Sequence, residues 1–258
     1  MTKPILSAKD LSITFGGLKA LNEFSLELRP KELVGLIGPN GAGKTTAFNL
    51  LTGVYEATSG TYTFANQMIK NVKTYELVQL GLARTFQNIR LFKSLSVIQN
   101  VMIAHNYLQE YGFMEGALRA PKFWKEENKL FEESMEILKI FDLDEYYDIP
   151  AESLSYGQQR KLEIARAMST NPKVLLLDEP AAGMNPIETA ELMDTIRFIR
   201  DEFDVAILLI EHDMSLVLGI CERLLVLNHG VTIAQGLPAG VINEPEVIEA
   251  YLGKKREG

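Results

Sequence analysis

The sequence has a single cysteine, no excess of positive charge and no long apolar run. Cys221 has no partner in the chain, which excludes an intrachain disulfide and indicates a reducing cytosol. A formal net charge of -8 argues against a protein whose affinity comes from binding nucleic-acid phosphates. The longest clear apolar runs, residues 174–177 and 205–210, are far shorter than the roughly 20 residues of a membrane-spanning helix. Charges near the N-terminus also interrupt any signal-peptide stretch, so we expect a membrane role only through a partner.

Apolar residues follow two patterns along the chain. Over the first 28 residues they alternate with polar residues, as in half-exposed antiparallel strands. Residues 33–37, 174–177 and 205–210 are almost wholly apolar, which is typical of parallel strands covered on both faces. Between about residues 87 and 156 a helical spacing takes over. The sequence therefore predicts one α/β body with a helical subdomain.

Local signals predict where several elements begin and end. Ser155 and Asn185 are typical N-cap residues, and Pro186 and Glu188 complete a capping pattern after Asn185. The predicted elements are a helix to about residue 168, a helix to residue 203, a hairpin over 224–234 and a short helix over 245–252.

The most informative motif is a glycine-rich loop directly after the apolar run 33–37. In Gly-x-x-x-x-Gly-Lys-Thr, backbone N–H groups point inward and can cradle the β- and γ-phosphates of a nucleotide at a helix N-terminus. Lys44 supplies a point charge, and Thr45 offers its hydroxyl to Mg²⁺. The following helix, residues 45–51, closes on Gly53, which suits a left-handed position. The predicted nucleotide-binding residues of the loop are Gly38, Pro39, Asn40, Gly41, Ala42, Gly43, Lys44, Thr45 and Thr46.

A second motif places Asp178 and Glu179 at the end of an apolar run. Ligands of open α/β sheets gather at the carboxyl ends of the strands. Asp178 is suited to hold Mg²⁺ through water, and Glu179 to accept a proton from an attacking water. Alone, such a pair could be a solvated loop start. Together with the phosphate loop it predicts a site for a nucleotide and Mg²⁺ at which water can be activated.

Residues 154–159, Leu-Ser-Tyr-Gly-Gln-Gln, carry a resemblance to a family. An ordinary capped helix explains Ser155 but not the Gly and Gln residues that accompany it. The chain resembles the ATP-binding subunit of ATP-binding-cassette (ABC) transporters, whose signature is Leu-Ser-Gly-Gly-Gln, with Tyr156 in place of the first of those glycines. The resemblance spans essentially the entire chain.

This resemblance implies a fold and its division. The expected fold class is α/β, a P-loop NTPase cassette with a RecA-like parallel-sheet core, an N-terminal antiparallel β subdomain and an α-helical subdomain. A single ABC domain would cover residues 1–258. The core with its β subdomain is expected at about 1–86 and 157–258, the helical subdomain at about 87–156, and a disordered tail at 254–258.

The resemblance also implies roles for residues around a shared nucleotide. Ser155, Gly157 and Gln158 would face the ATP of a second cassette, so that two ATP molecules lie between two chains. Asn185 stands where the family usually ends a loop in Asp, and its capping role competes with a role at the subunit interface.

Three further positions match the family one by one. Gln87 resembles the glutamine that touches Mg²⁺ and senses the membrane partner, and His212 resembles the switch histidine at the γ-phosphate. Phe15 sits where an aromatic ring stacks on adenine, although a core aromatic explains a lone Phe nearly as well. The implied catalytic residues are Glu179, His212 and Lys44, and the implied Mg²⁺ ligands are Thr45, Gln87 and Asp178.

Residues 84–92, 156–166 and 178–186 resemble more narrowly the ATPases of branched-chain amino-acid importers. The implied partners are two transmembrane permease subunits, a periplasmic or extracellular solute-binding protein and a second cassette, either a copy of this chain or a paralogue. No nucleic acid is expected, and the implied location is the cytoplasmic face of the cell membrane.

Other functions remain open at this point. Within transporters they are urea or amide import and lipopolysaccharide export. A soluble ABC ATPase acting on ribosomes or DNA would typically carry two cassettes or a long coiled-coil insertion. A regulator that does not hydrolyse its nucleotide would be signalled by the loss of Glu179 or His212, and both are present.

Overall fold

The computed structural model of the protein describes residues 3–105 and 121–252. Its strands are β1 (Leu6–Phe15), β2 (Leu18–Leu28), β3 (Leu33–Ile37), β4 (Ser59–Phe64), β5 (Gln67–Met68), β6 (Leu82–Arg84), β7 (Val174–Asp178), β8 (Ala206–Ile210), β9 (Arg223–Asn228) and β10 (Val231–Gly236). Its helices are α1 (Lys44–Leu51), α2 (Thr74–Leu80), α3 (Val97–His105), α4 (Pro121–Ile140), α5 (Tyr156–Met168), α6 (Pro186–Glu202), α7 (Met214–Ile220), α8 (Pro238–Val241) and α9 (Pro245–Leu252). Two 3₁₀ turns, Asp144–Tyr146 and Ala151–Ser153, precede α5.

A six-stranded sheet forms the centre of the fold. Its order is β10-β9-β3-β8-β7-β6, and every neighbouring pair is parallel except the β9–β10 hairpin. Leu33 and Ile37 of β3 belong to one buried cluster, whereas Val34 and Leu36 belong to another. Both faces are therefore covered, which explains why this strand is almost wholly apolar. The predicted parallel core is confirmed.

A four-stranded antiparallel sheet, in the order β2-β1-β4-β5, lies over one face of the central sheet. Its inward residues, such as Leu6, Phe24 and Phe64, share a buried cluster with Phe48 of α1. Period-two alternation in the first 28 residues arises because one face of this sheet packs inward and the other is exposed. The predicted antiparallel β subdomain is confirmed.

Helices cover the other face of the central sheet. These helices share the buried cluster that contains Leu33 and Ile37 of β3; their members are Val97 of α3, Leu138 of α4, Leu162 of α5 and Ile196 of α6. Residues 106–120, within the predicted helical subdomain, and the predicted tail at 254–258 lie outside the described residues. The division of the chain into subdomains at about residues 86 and 157 stays a prediction.

Predicted helix ends are reproduced where a side chain provides the cap. Ser155 Oγ accepts a hydrogen bond from the N–H of Gln158 at 3.3 Å, at the start of α5. Asn185 Oδ1 accepts from the N–H groups of Ile187 and Glu188 at 2.9 and 3.0 Å, at the start of α6. These caps satisfy backbone donors that have no partner within the helix.

Cys221 is buried beside Gly35, where an added Cβ would lie 3.0 Å from its Sγ. Burial, with smaller contributions from Glu211 and Glu222, raises the pKa of its thiol to about 12. Because only the thiolate reacts, we expect an aromatic disulfide reagent at pH 8 to modify the folded chain at least ~100-fold more slowly than the denatured chain. Absorbance of the released thiolate measures both rates, and comparable rates would contradict the burial of this thiol.

Candidate active site

The phosphate loop connects β3 to α1, and its shape depends on glycine. Gly38, Gly41 and Gly43 have φ angles of 149°, 79° and 105°, which L side chains rarely adopt. A Cβ at Gly38 would lie 2.1 Å from the carbonyl oxygen of Leu227. No side chain of the described residues caps α1 at Gly43. The first N–H groups of the helix are therefore available to an anion.

A hairpin turn holds this loop from the side. The N–H of Gly230, between β9 and β10, donates to the carbonyl oxygen of Ala42 at 2.8 Å. The carbonyl oxygen of Gly230 accepts from the N–H of Asn22 in β2, also at 2.8 Å. A Cβ at Gly230 would lie 2.7 Å from the carbonyl oxygen of Ala20, so the close approach requires glycine. The phosphate loop, the central sheet and the antiparallel sheet thus meet at one residue.

A cavity of about 430 Å³ lies over the phosphate loop. Its walls include most of the loop together with two predicted residues from other elements, Gln87 and Glu179. The lining residues are Leu18, Lys19, Ala20, Asn40, Gly41, Ala42, Gly43, Lys44, Thr45, Thr46, Gln87, Glu179, His229 and Gly230. Sequence reasoning did not select the residues from β2 or the hairpin turn, because nothing in their local pattern indicates a ligand.

Lys44 lies at the base of the cavity with a mostly buried side chain. Its Nζ donates to the carbonyl oxygens of Gly38 and Pro39 at 2.6 and 3.0 Å. Burial lowers the pKa of the ammonium, and the nearby carboxylates of Glu179 and Asp178 oppose that shift. The loop thus folds around a positive charge that it holds through its own carbonyl groups.

Glu179 stands on the opposite side of the cavity in a left-handed backbone conformation, with φ of 49°. Its N–H donates to the carbonyl oxygen of Ile210 at 2.9 Å, which ties it to the end of β8. Gln87 Nε2 donates to Glu179 Oε2 at 2.9 Å. His212 Nδ1 lies 3.8 Å from Glu179 Oε1, and the ring is 64% exposed. The structure therefore brings together three predicted residues from three separate segments.

Asp178 lies outside the cavity and has a partner that the sequence analysis did not name. Its carboxylate is buried, does not line the cavity and pairs with Arg84, whose Nη2 lies 2.8 Å from Asp178 Oδ2. Arg84 also donates to Asn49 Oδ1 at 2.7 Å. Its guanidinium carbon lies 5.4 Å from the ring centroid of Phe48. Sequence reasoning missed this partner, since the pair is separated by 94 residues.

Glu211 is a second residue that the sequence analysis missed. Its buried carboxylate accepts hydrogen bonds from the N–H groups of Ala181 at 2.9 Å and His212 at 3.1 Å. Burial raises the pKa of this carboxyl, and the backbone donors oppose the shift. Glu211 thus connects the loop after Glu179 with the backbone of His212. The only sequence signal was a Glu between an apolar strand and a candidate histidine.

Other predicted residues lie away from the cavity of their own chain. Phe15 is 44% exposed and packs edge-to-face against Tyr55, with ring centroids 5.1 Å apart. Ser155, Gly157 and Gln158 form the start of α5 and are not among the lining residues. The ring of Tyr156 covers Gly183, where an added Cβ would lie 3.0 Å from Cε1.

Within residues 3–105 and 121–252, no group of three or more His, Cys, Asp or Glu residues could by itself hold a metal ion. In the same part of the chain, no helix is long and apolar enough to span a bilayer.

The fold and the cavity define an ATPase cassette, and comparison with known proteins identifies the family. The profile described as "ABC transporter" matches residues 21–182. A second profile, "Branched-chain amino acid ATP-binding cassette transporter", matches residues 231–257. The chain belongs to the ATP-binding cassettes of ABC transporters, a family that hydrolyses ATP to power transport.

Relatives within this family are similar over their whole length. The chain is 45% identical to the high-affinity branched-chain amino acid transport ATP-binding protein LivG of Escherichia coli K12, over 98% of this chain and 100% of LivG. It is 43% identical to the corresponding protein BraF of Pseudomonas aeruginosa, with the same coverage. Among solved structures, the ADP conformation of MJ1267, an ATP-binding cassette of an ABC transporter, gives a TM-score of 0.85 at 32% identity and covers 98% of this chain and 100% of that one.

Proposed function

We propose that the chain binds ATP with Mg²⁺ and hydrolyses it to energise the uptake of branched-chain or other hydrophobic amino acids through membrane subunits. The observation that carries the proposal is the cavity in which the glycine loop and Lys44 face the carboxylate of Glu179. LivG and BraF are named for high-affinity branched-chain amino acid transport, which supports the choice of solute.

The chemistry is phosphoryl transfer to water. Glu179 orients the attacking water and takes its proton, and the hydrogen bond from Gln87 Nε2 at 2.9 Å fixes the direction of its carboxylate. Lys44 and His212 stabilise negative charge on the transferring phosphoryl group. Backbone N–H groups of the loop and of the first turn of α1 are the proposed donors to the β- and γ-phosphates. Pro39 has no N–H, and the N–H of Ala42 donates to the carbonyl oxygen of Pro39, so neither residue is counted among these donors.

The available donors fit Mg²⁺, which prefers oxygen ligands and binds through one or two carboxylates together with substrate phosphates. Thr45 and Gln87 line the cavity, whereas Asp178 ends β7, two strands from β3, with its Oδ2 paired to Arg84. We assign these three residues to the metal, with Asp178 acting through water. When bound, Mg²⁺ supplies positive charge at the β- and γ-phosphate oxygens.

A second cassette completes the site in this proposal. Ser155, Gly157 and Gln158 lie outside the cavity of their own chain, although they start a capped helix whose N-terminal end favours anions. We assign them to the ATP bound by the partner cassette, which is either a copy of this chain or a paralogue. Phe15 is assigned to adenine, and its exposed ring is accessible for stacking.

The proposal places the chain at the cytoplasmic face of the membrane, on two transmembrane permease subunits that receive the solute from a binding protein. It is tested by reconstituting the chain in vesicles that contain ATP, together with the membrane proteins and any second cassette encoded beside its gene, and with the encoded binding protein added outside. We expect ATP-dependent uptake of labelled leucine that is absent without ATP. Uptake of urea but not leucine by the same vesicles would overturn the assigned solute.

A further inference from the structure

A buried ion pair on α5 holds the loop that carries Gln87. Arg160 is 1% exposed and Glu163 is 2% exposed, and Arg160 Nη1 lies 2.9 Å from Glu163 Oε2. Both residues lie on α5, the helix that has Ser155 as its N-cap and Gln158 in its first turn. No predicted role was attached to either, and the proposed chemistry does not use them.

The pair is linked to the loop through the loop's backbone. Arg160 donates to the carbonyl oxygen of Phe86 at 2.5 Å through Nη1, and to that of Gln87 through Nη2. Glu163 Oε1 accepts from the N–H of Arg90 at 3.2 Å. Two charged side chains on one helix therefore fix three backbone positions of the loop.

From this loop the contacts continue to the proposed base. The side chain of Gln87, whose own carbonyl oxygen is bound by Arg160, donates to Glu179 Oε2. A continuous chain of hydrogen bonds thus runs from α5 through the backbone and side chain of Gln87 to the carboxylate of Glu179. The helix that presents Ser155 is connected in this way to the opposite end of the nucleotide cavity.

Stability alone does not account for this arrangement. Replacing a buried ion pair by apolar side chains of similar volume is often neutral or stabilising, because two charges no longer need to be desolvated. A guanidinium, however, offers several donors in a fixed fork and can bind two carbonyl oxygens and a carboxylate at once. That geometry suits a residue that holds a loop in one position.

We propose that Arg160 and Glu163 are positioning residues that clamp the Gln87 loop to α5, so that the loop and the signature helix move together and Gln87 stays aligned with Glu179. The part of this inference that concerns hydrolysis rests on the proposed function. The clamp itself does not, since its hydrogen bonds join protein groups only.

The test uses the double variant Arg160→Met/Glu163→Met, which removes both charges and retains apolar volume. Its control is Arg197→Met/Asp194→Met, because Arg197 also pairs with an acid three residues away, at 2.8 Å, and donates to a backbone carbonyl, that of Gly219, at 2.7 Å. Hydrogen–deuterium exchange of the nucleotide-free protein is measured by mass spectrometry. We expect segment 85–92 to exchange at least ~10-fold faster in the first variant and not in the control, while β7 is unchanged in both.

Turnover and ATP affinity provide the second readout. The Arg160→Met/Glu163→Met chain should hydrolyse ATP about 10-fold more slowly with ATP affinity unchanged, since the phosphate loop is not altered. If that variant does not fold, Arg160→Lys keeps the charge but lacks the fork, and segment 85–92 should still exchange faster than in the parent chain. Unchanged exchange of this segment in a folded variant would overturn the clamp. Faster exchange in a chain that transports no amino acid would instead overturn only the proposed function.

Discussion

Glu179→Gln is expected to lower ATP turnover by about 10²-fold or more while ATP binding is retained. Glutamine is nearly isosteric and its amide oxygen can still accept the hydrogen bond that Gln87 Nε2 gives to Glu179 Oε2. It cannot take a proton from water. Steady-state phosphate release measures turnover, and titration with a fluorescent ATP analogue measures affinity.

A matched control for this substitution is Glu222→Gln, which also removes one carboxylate but lies on the surface in an ion pair with Arg200. It should leave turnover within about 2-fold of the parent, since surface changes are usually small in effect. The Glu179→Gln chain should also accumulate as an ATP-bound dimer in size-exclusion chromatography with ATP. Near-normal phosphate release would remove Glu179 from the role of base.

Lys44→Ala is expected to weaken ATP binding itself, by about 10- to 100-fold, because a charge-assisted contact to the phosphates is lost. The effect differs in kind from that of Glu179→Gln, which acts on turnover. Lys44 Nζ also donates to the carbonyl oxygens of Gly38 and Pro39, so its removal should also loosen the loop. Isothermal titration calorimetry with ATP provides the measurement.

The pH dependence gives an internal check on Lys44. Burial lowers the pKa of this ammonium, so its charge is lost at a lower pH than that of an exposed lysine. With rising pH, the ATP affinity of the parent chain should therefore fall at a lower pH than the one at which an exposed lysine loses its charge, whereas that of Lys44→Ala should not follow the same curve. Unchanged affinity after Lys44→Ala would show that the loop does not bind phosphate as proposed.

Features that depend on residues close together in the chain could be predicted from the sequence. The phosphate loop, the caps at Ser155 and Asn185 and the buried strands β3, β7 and β8 all depend on neighbouring residues, and the structure reproduces them. Short elements such as β5 and α2 were not predicted, because a pattern over two to seven residues is too short to distinguish them from a loop.

Residues that act across the fold could not be predicted in the same way. Arg84 meets Asp178 because β6 lies beside β7 in the sheet, and Arg160 meets the Gln87 loop because α5 packs against that region. Neither pairing has a local pattern, since the partners are more than 70 residues apart in sequence. For this reason the sequence predicted Mg²⁺ as a ligand of Asp178 but did not predict its ion pair with Arg84.

The turn at Gly230 makes the two sides of the nucleotide cavity unequal in stiffness. On one side, backbone hydrogen bonds from this glycine fasten the phosphate loop and β2 to a single point at 2.8 Å each. On the other side, a side-chain hydrogen bond joins Gln87 to Glu179, and the loop of Gln87 is held to α5 by the side chains of Arg160 and Glu163. We therefore expect the loop of Gln87 to rearrange during nucleotide exchange, while the turn at Gly230 and the phosphate loop keep their positions.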